Sequence, residues 1–425
     1  MGTVGEVMKR SGFYFVAKRC NKLVKNIIPG SVRFYIKEKL LEKNINILKR
    51  QKENYMPERF REGVNLIGSV RAENGLGQSC RLVAGQLKAS DLQFSVFNVN
   101  FDANLRESDD SYDEYITDKL PYRINLFHVN PCELGNVSVS MPEAWNGHYN
   151  IAFWLWELEE FPKEWVKYCS LFDEIWTPSA FAGYGIKQKT DVPVRTMPYV
   201  VTAPVEERYI RENFGLPEDK FLYLVMYDTN STDGRKNPQG AINAYKRAFP
   251  IEKSDHGLVI KINNMQKKNM NKLRRLLSGY QNVYFITEVL GKKEVNSLIK
   301  CVDVFVSLHR SEGLGLVLIE SMLLGTPVIA TNWSSNTEFM DEESSCMVNY
   351  KLIKNKKREG PYKKGCIWAE PDIEDTANYM IKLKNDKNYY MEKKIKGMSS
   401  IDRKFNKEKL KVLWSESIKV VKNGR

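Results

Sequence analysis

Along most of the chain, short β-branched runs alternate with longer stretches in which apolar residues recur at helical spacing. Residues 64–68, 94–101, 123–129, 149–156 and 174–177 read as strands, with helical stretches between several of them. A helix over 78–87 follows the first of these strands. A boundary falls at 204–217, where a charged helix over 206–215 hands over to a second series: 221–227, 258–262, 283–287, 302–308 and 328–331. Helices over 372–384 and most of 401–425 complete the pattern. Strand–helix alternation predicts parallel sheets covered on both faces. Two such series predict an α/β protein with two doubly wound domains, whose ligands bind beyond the carboxyl ends of the strands.

The most informative stretch is 302–331. Its β-branched run ends in His309-Arg310-Ser311-Glu312, and Gly313-Leu314-Gly315 then leads into an apolar helix over 316–324. Gly325-Thr326-Pro327 stops that helix before the next strand. Glu312 therefore stands in a loop above the carboxyl end of a strand, and Glu320, eight residues on, lies on the helix beyond it. The free N–H groups of the helix start, over Gly313, Leu314, Gly315, Leu316 and Val317, face the same space. Glycines there allow close approach, which suits a diphosphate. Carboxylates beside a phosphate site accept hydrogen bonds from sugar hydroxyls, so the combination reads as a nucleotide-sugar site. The plainer alternative is an ordinary βαβ unit with a solvated glutamate.

EGLGLVLIE followed by GTPVIAT resembles the E-x7-E signature of retaining glycosyltransferases of family 4, and the resemblance extends over about residues 62–422. It implies the GT-B fold, with two Rossmann-like domains facing a central cleft. Residues 61–206, with a crossover helix at 402–425, would form the acceptor-side domain. Residues 207–401 would bind the nucleotide sugar, and residues 1–60 lie outside the resemblance. By the same resemblance Glu312 contacts hydroxyls of the donor hexose and Glu320 the ribose.

DGRKNP, after the strand at 221–227, is similar to the family's basic phosphate clamp. Arg235 and Lys236 would balance a leaving diphosphate, with Pro238 starting a helix at a tolerated position. Thr287, Glu288 and Val289 would border the nucleotide base. Gly75 and Gly77 match the family's glycine loop across the cleft, although a tight turn explains them equally. Many members place a histidine at the end of the strand matching 149–156, where this chain has Trp156 and Glu157. Glu157 is expected to orient the acceptor hydroxyl. His128 is expected either to line the cleft or to be a hydrogen-bonded structural histidine. The implied chemistry needs no protein nucleophile: Arg235, Lys236, Glu312 and Glu157 hold the substrates and stabilise the departing charge.

A length of 425 residues accommodates two full cores. Seven cysteines without CxxC spacing read as buried thiols in a reducing compartment. No apolar run approaches the roughly 20 residues of a membrane span, and no signal peptide is evident. The expected location is cytoplasmic. The net charge of +13 changes this picture at one end, because residues 1–60 hold fourteen Lys/Arg against five Glu. Val16, Cys20, Leu23 and Ile27 share one helical face, away from Lys18, Arg19, Lys22 and Lys25. Such a helix either lies on an anionic membrane surface or docks its apolar stripe on its own domain. A nucleic-acid partner is not expected, since no recognition motif accompanies the charge.

The basic run 351–365, with seven Lys/Arg and one Glu, is expected to be a mobile solvated loop. The acidic cluster at Asp109, Asp110 and Asp113 is expected to be solvated too; no metal and no other cofactor is anticipated. The expected activity is hexose transfer from a nucleotide-diphosphate sugar to a glycan acceptor, such as a lipid-linked oligosaccharide. A nucleotide-sugar 2-epimerase and a non-catalytic partner subunit are the alternatives. The presence of Arg235, Lys236, Glu312 and Glu320 together argues against the second of these.

Overall fold

The computed structural model describes residues 30–100, 106–229, 232–251 and 255–422. The first sheet holds six parallel strands: β1 (Arg61–Gly68), β2 (Phe94–Asn98), β3 (Tyr122–His128), β4 (Tyr149–Phe153), β5 (Glu174–Thr177) and β6 (Val194–Thr196). Their order is β2-β1-β3-β4-β5-β6. The second sheet holds β7 (Phe221–Asp228), β8 (His256–Asn263), β9 (Val283–Ile286), β10 (Val304–Ser307), β11 (Val328–Thr331) and β12 (Cys346–Val348), ordered β12-β11-β10-β7-β8-β9. An antiparallel hairpin, β13 (Tyr350–Lys354) with β14 (Ile367–Pro371), stands apart from both. Strand order reverses between β1 and β3 in one sheet and between β7 and β10 in the other. Those two points are where open sheets of this kind leave a crevice.

Central strands are apolar on both faces because helices cover both. In β8 every residue but the last is buried, Lys261 included. The strands that pattern alone misses, β6 and β12, are only three residues long. Where a helix was expected at 206–215, only the single turn Arg211–Phe214 forms, and Gly215 ends it in the left-handed region at φ +64°.

The last helix, Lys407–Lys422, crosses back onto the first domain. Trp414 is fully buried there, donates to the Pro198 carbonyl at 2.7 Å and packs edge-on against Trp176. Before β1, the helix Gly30–Gln51 buries Leu41, Ile45 and Leu48. It is tied to the first domain by Asn44 to Ser138 at 3.1 Å, and just beyond it Lys52 pairs with Asp173 at 2.8 Å. This helix docks on the first domain; the Val16–Cys20–Leu23–Ile27 stripe, for which docking or membrane binding was expected, lies outside the described residues. Among those residues no helix is long and apolar enough to cross a membrane, and six cysteines carry free thiols.

Candidate active site

A cleft of about 530 Å³ opens where the reversal points of the two sheets face each other. On the second-domain wall, β7 runs into the short helix Asp233–Lys236, and Asn237 (φ +49°) caps the next helix, Pro238–Ala248, by accepting from the Gly240 N–H. This turn delivers Arg235 and Lys236 to the carboxyl edge of the sheet. The loop after β10 brings Glu312 to meet them: Lys236 Nζ lies 2.5 Å and Arg235 Nη1 3.0 Å from Glu312 Oε1. Burial alone would raise the Glu312 pKa. The Lys236 and Arg235 charges overcome it and hold the carboxyl down at about 2. The loop itself is pinned, since Glu312 N–H donates to Ser334 Oγ (2.9 Å) and Ser335 Oγ donates to the Glu312 carbonyl (2.8 Å).

Gly313 must be glycine here. A Cβ would stand 2.9 Å from the Trp156 carbonyl of the opposite domain, and the Gly313 carbonyl accepts from Ser179 Oγ at 2.6 Å. Gly315, at φ +85°, turns the chain into the helix Leu316–Leu323. Leu314, Gly315, Leu316 and Val317 all line the cleft, as expected. Glu320, one turn further, is fully buried and paired with Lys292 Nζ at 2.6 Å. Its pKa moves the other way: burial raises it, and Lys292 only partly opposes that.

The first-domain wall is different in kind. Gly75 and Gly77 begin the helix Gly75–Ala89, capped by Asn74, whose side chain accepts from the Gly77 N–H at 2.8 Å. Their roles separate. A Cβ on Gly77 would come within 2.1 Å of the Ala72 carbonyl, while one on Gly75 would meet nothing within 4 Å. Gly77 is packing; Gly75 lines the cleft. Arg81 holds this loop by donating to the Val70 and Ala72 carbonyls (2.7 and 2.9 Å) and pairing with Asp109 at 3.1 Å. Asp113 is bound by Arg71, so these two carboxylates of the acidic cluster are paired rather than merely solvated. Among the described residues no group of His, Cys, Asp and Glu is placed to hold a metal.

The structure decides three expectations for this wall. His128 is fully buried with Nε2 2.8 Å from Ser79 Oγ, and burial lowers its pKa to about 4. It is a core residue stacked on Phe153, and the cleft does not reach it. Trp156 also turns inward, donating Nε1–H to the Glu160 carbonyl at 2.9 Å, so only its backbone abuts the site. Glu157 does face the cleft, with Oε1 3.8 Å from Arg235 Nη2.

At the far end, Thr287, Glu288 and Val289 follow β9, the edge strand, and Val289 is 65% exposed. The cleft is lined instead by Leu290 and Lys292. The run 351–365 keeps all seven of its Lys and Arg side chains exposed, as expected of a solvated segment, but it is not wholly a loop. It forms β13 and the turn back to β14, and buries Tyr362 against Trp156.

Sequence reasoning missed Lys292, Lys261, Arg81 and Tyr362. Lys261 is buried on β8 with Nζ 2.5 Å from Asn263 Oδ1, and burial lowers its pKa. The available signal was positional: Lys292 is the first residue of the helix after β9, and Lys261 lies near the carboxyl end of a central strand. With Arg81, Arg235 and Lys236 they give the cleft five cationic side chains. Such a cavity can hold a diphosphate, with Glu312, Glu320 and Glu157 as acceptors for hydroxyls.

Residues 207–398 match the family model described as glycosyl transferases group 1. Over 80 residues the chain is 38% identical to the O-antigen biosynthesis glycosyltransferase WclY of Escherichia coli, covering 19% of this chain and 22% of that protein. A second match to a protein of that name is 33% identical over 132 residues, covering 31% and 34%. The chain thus matches about a third, at most, of the length of these curated relatives. Among solved structures, Anabaena Alr3699/HepE in complex with UDP-glucose superposes with a TM-score of 0.61 at 10% identity, covering 86% of this chain and all of that one. Sucrose-phosphate synthase from Thermosynechococcus elongatus does so with a TM-score of 0.62 at 15% identity, over 86% of this chain. The chain therefore has the GT-B fold of two Rossmann-like domains, and residues 207–398 are a glycosyl transferases group 1 domain.

Proposed function

We propose that the protein transfers a hexose from a nucleotide-diphosphate sugar to a hydroxyl of a glycan acceptor, with retention of configuration and without a metal. The observation that carries this reading is the Arg235–Lys236–Glu312 cluster at the β7/β10 reversal, facing Glu157 of the other domain. Arg235 and Lys236 supply the positive charge that a departing diphosphate needs, which is the role a metal plays elsewhere. Glu312 and Glu320 accept from donor hydroxyls, and Glu157 orients the acceptor. The donor's own phosphate takes the proton from the acceptor hydroxyl on the face from which the diphosphate leaves. The UDP-glucose bound by the Anabaena neighbour and the O-antigen role in the name of the Escherichia coli relatives support a nucleotide-sugar donor. The O-antigen role in that name also favours a polysaccharide precursor as acceptor; a lipid-linked form of it, met at the cytoplasmic membrane face, is part of the same proposal.

A thermal-shift panel of UDP- and GDP-sugars tests the donor. Binding stabilises the folded state by an amount that grows with the logarithm of ligand excess over Kd, so one base and sugar should raise the melting midpoint most. A panel without any shift would refute the reading. Conversion of the donor sugar with no acceptor present would point to an epimerase instead.

A further inference from the structure

The hairpin β13–β14 has one face in the core and one in solvent. Ile353 and Trp368, directly opposite each other in the ladder, pack into the apolar cluster around Trp154 and Trp156. The alternate residues Leu352, Lys354 and Ile367 therefore share the outward face. Leu352 and Ile367 are 50% and 47% exposed there. Ile367 also lines a pocket of about 260 Å³ together with Tyr184, 54% exposed, from the first-domain helix Ala180–Lys187. Around these apolar groups the run 351–365 displays seven exposed Lys and Arg against one Glu. Among the described residues only two of the seven have an acidic partner: Lys357 at 3.8 Å from Glu359, and Lys363 at 2.7 Å from Glu164. Glu159 and Glu160 share the pocket, and Glu160 pairs with Lys189 at 4.0 Å.

This surface is held in place. Arg310 donates to both carboxylate oxygens of Glu370 (2.7 and 2.9 Å), and Ala369 N–H donates to the Arg310 carbonyl at 3.0 Å. Tyr362, only 4% exposed, sets its ring 5.6 Å from that of Trp156. We propose that the outward face of β13–β14, with its basic turn and Tyr184, is a docking surface for an anionic lipid bilayer. The inference deepens the reading of a lipid-linked acceptor above: Leu158, next in the chain to Glu157, lines the same pocket as Ile367 and Tyr184. Exposed aliphatic groups enter the acyl boundary, a tyrosine ring rests at headgroup level, and lysine stems reach the phosphates. A soluble polyanion would use the charge but leave Leu352 and Ile367 in water. An apolar protein partner would bury those two and leave the cations uncompensated. An anionic bilayer satisfies both.

The test is sedimentation of the full chain with vesicles of phosphatidylcholine alone, or mixed about three to one with phosphatidylglycerol, at low and high salt. Wild type should bind the mixed vesicles and lose affinity as salt rises. Lys354→Glu, Lys356→Glu and Lys364→Glu together should weaken that binding about tenfold or more, with the melting midpoint unchanged. Leu352→Ser with Ile367→Ser should weaken it several-fold while every charge is kept. The same charge change placed on the last helix, at Lys407, Lys409 and Lys419, should leave binding within about twofold. Absent binding by wild type, full binding by either hairpin variant, or an equal loss in the last-helix variant would overturn the docking surface. None of these readouts uses a sugar donor. Failure here leaves the transferase reading standing, and failure to bind any nucleotide sugar leaves this surface to its own test.

Discussion

The second-domain wall of the cleft takes its charged groups from short segments, 235–236, 261, 292 and 312–320, and neutralises most of them within the wall: Arg235 and Lys236 on Glu312, Lys292 on Glu320. The first-domain wall is assembled from segments far apart in the chain, and apart from Glu73, Arg81 and Glu157 it depends on neutral packing around Gly77, His128 and Trp156. Side chains on the first-named wall are therefore expected to act through charge on ligand and pH dependence. Those on the opposite wall should act first through stability.

The largest effect should separate the walls kinetically. Lys236→Ala removes one preorganised cation from the departing phosphate and should lower kcat by roughly 10²–10³-fold, with a stable fold. Gly75→Ala, across the cleft, should alter acceptor or donor KM more than kcat. Equal kcat losses in both variants would erase the distinction.

Next in size is a contrast inside the second-domain wall, read by melting at several pH values. The folded Glu312 pKa is about 2 against an ordinary 4.5, so its ionised form favours the fold above pH 4.5. That contribution, on the order of 3 kcal/mol, is lost as pH falls from 4.5 towards 2. Glu320 is shifted upward by burial, so its ionisation opposes the fold as pH rises above 4.5. Glu312→Gln should thus destabilise at neutral pH and flatten the acid limb, while Glu320→Gln should be neutral or stabilising there. The same sign of change in both would contradict the opposite pKa directions.

The smallest effect belongs to the first-domain wall. Gly77→Ala forces a methyl against the Ala72 carbonyl and should cost about 1–3 kcal/mol in denaturant unfolding, whereas Gly75→Ala should cost little. Similar losses at both positions would show that the loop relaxes around the added methyl.

The central strands and the second-domain wall were legible because their signals are local. A β-branched run, two glycines and two acids in one stretch define a strand, an anion-accepting turn and a helix without knowledge of anything distant. His128, at the end of β3, was ambiguous because its fate is set by Ser79, which belongs to the helix Gly75–Ala89. Thr287, Glu288 and Val289 were expected at the nucleotide base from the resemblance, and the cleft lining begins one residue further on, at Leu290. The basic run 351–365 is solvated along most of its length, but its charge hides one aromatic residue that is not. Tyr362 is buried by its hairpin neighbour Trp368 and by Trp156 and Arg235, which come from distant parts of the chain.

Calorimetric titration of nucleotide-diphosphate sugars into wild type and into the Arg235→Ala/Lys236→Ala double variant addresses the central claim most directly. One-site binding of a single nucleotide sugar to wild type, with binding by the variant weakened at least a hundredfold, is the predicted result. Equal affinity in the two proteins, or no binding by wild type to any nucleotide sugar, would contradict it.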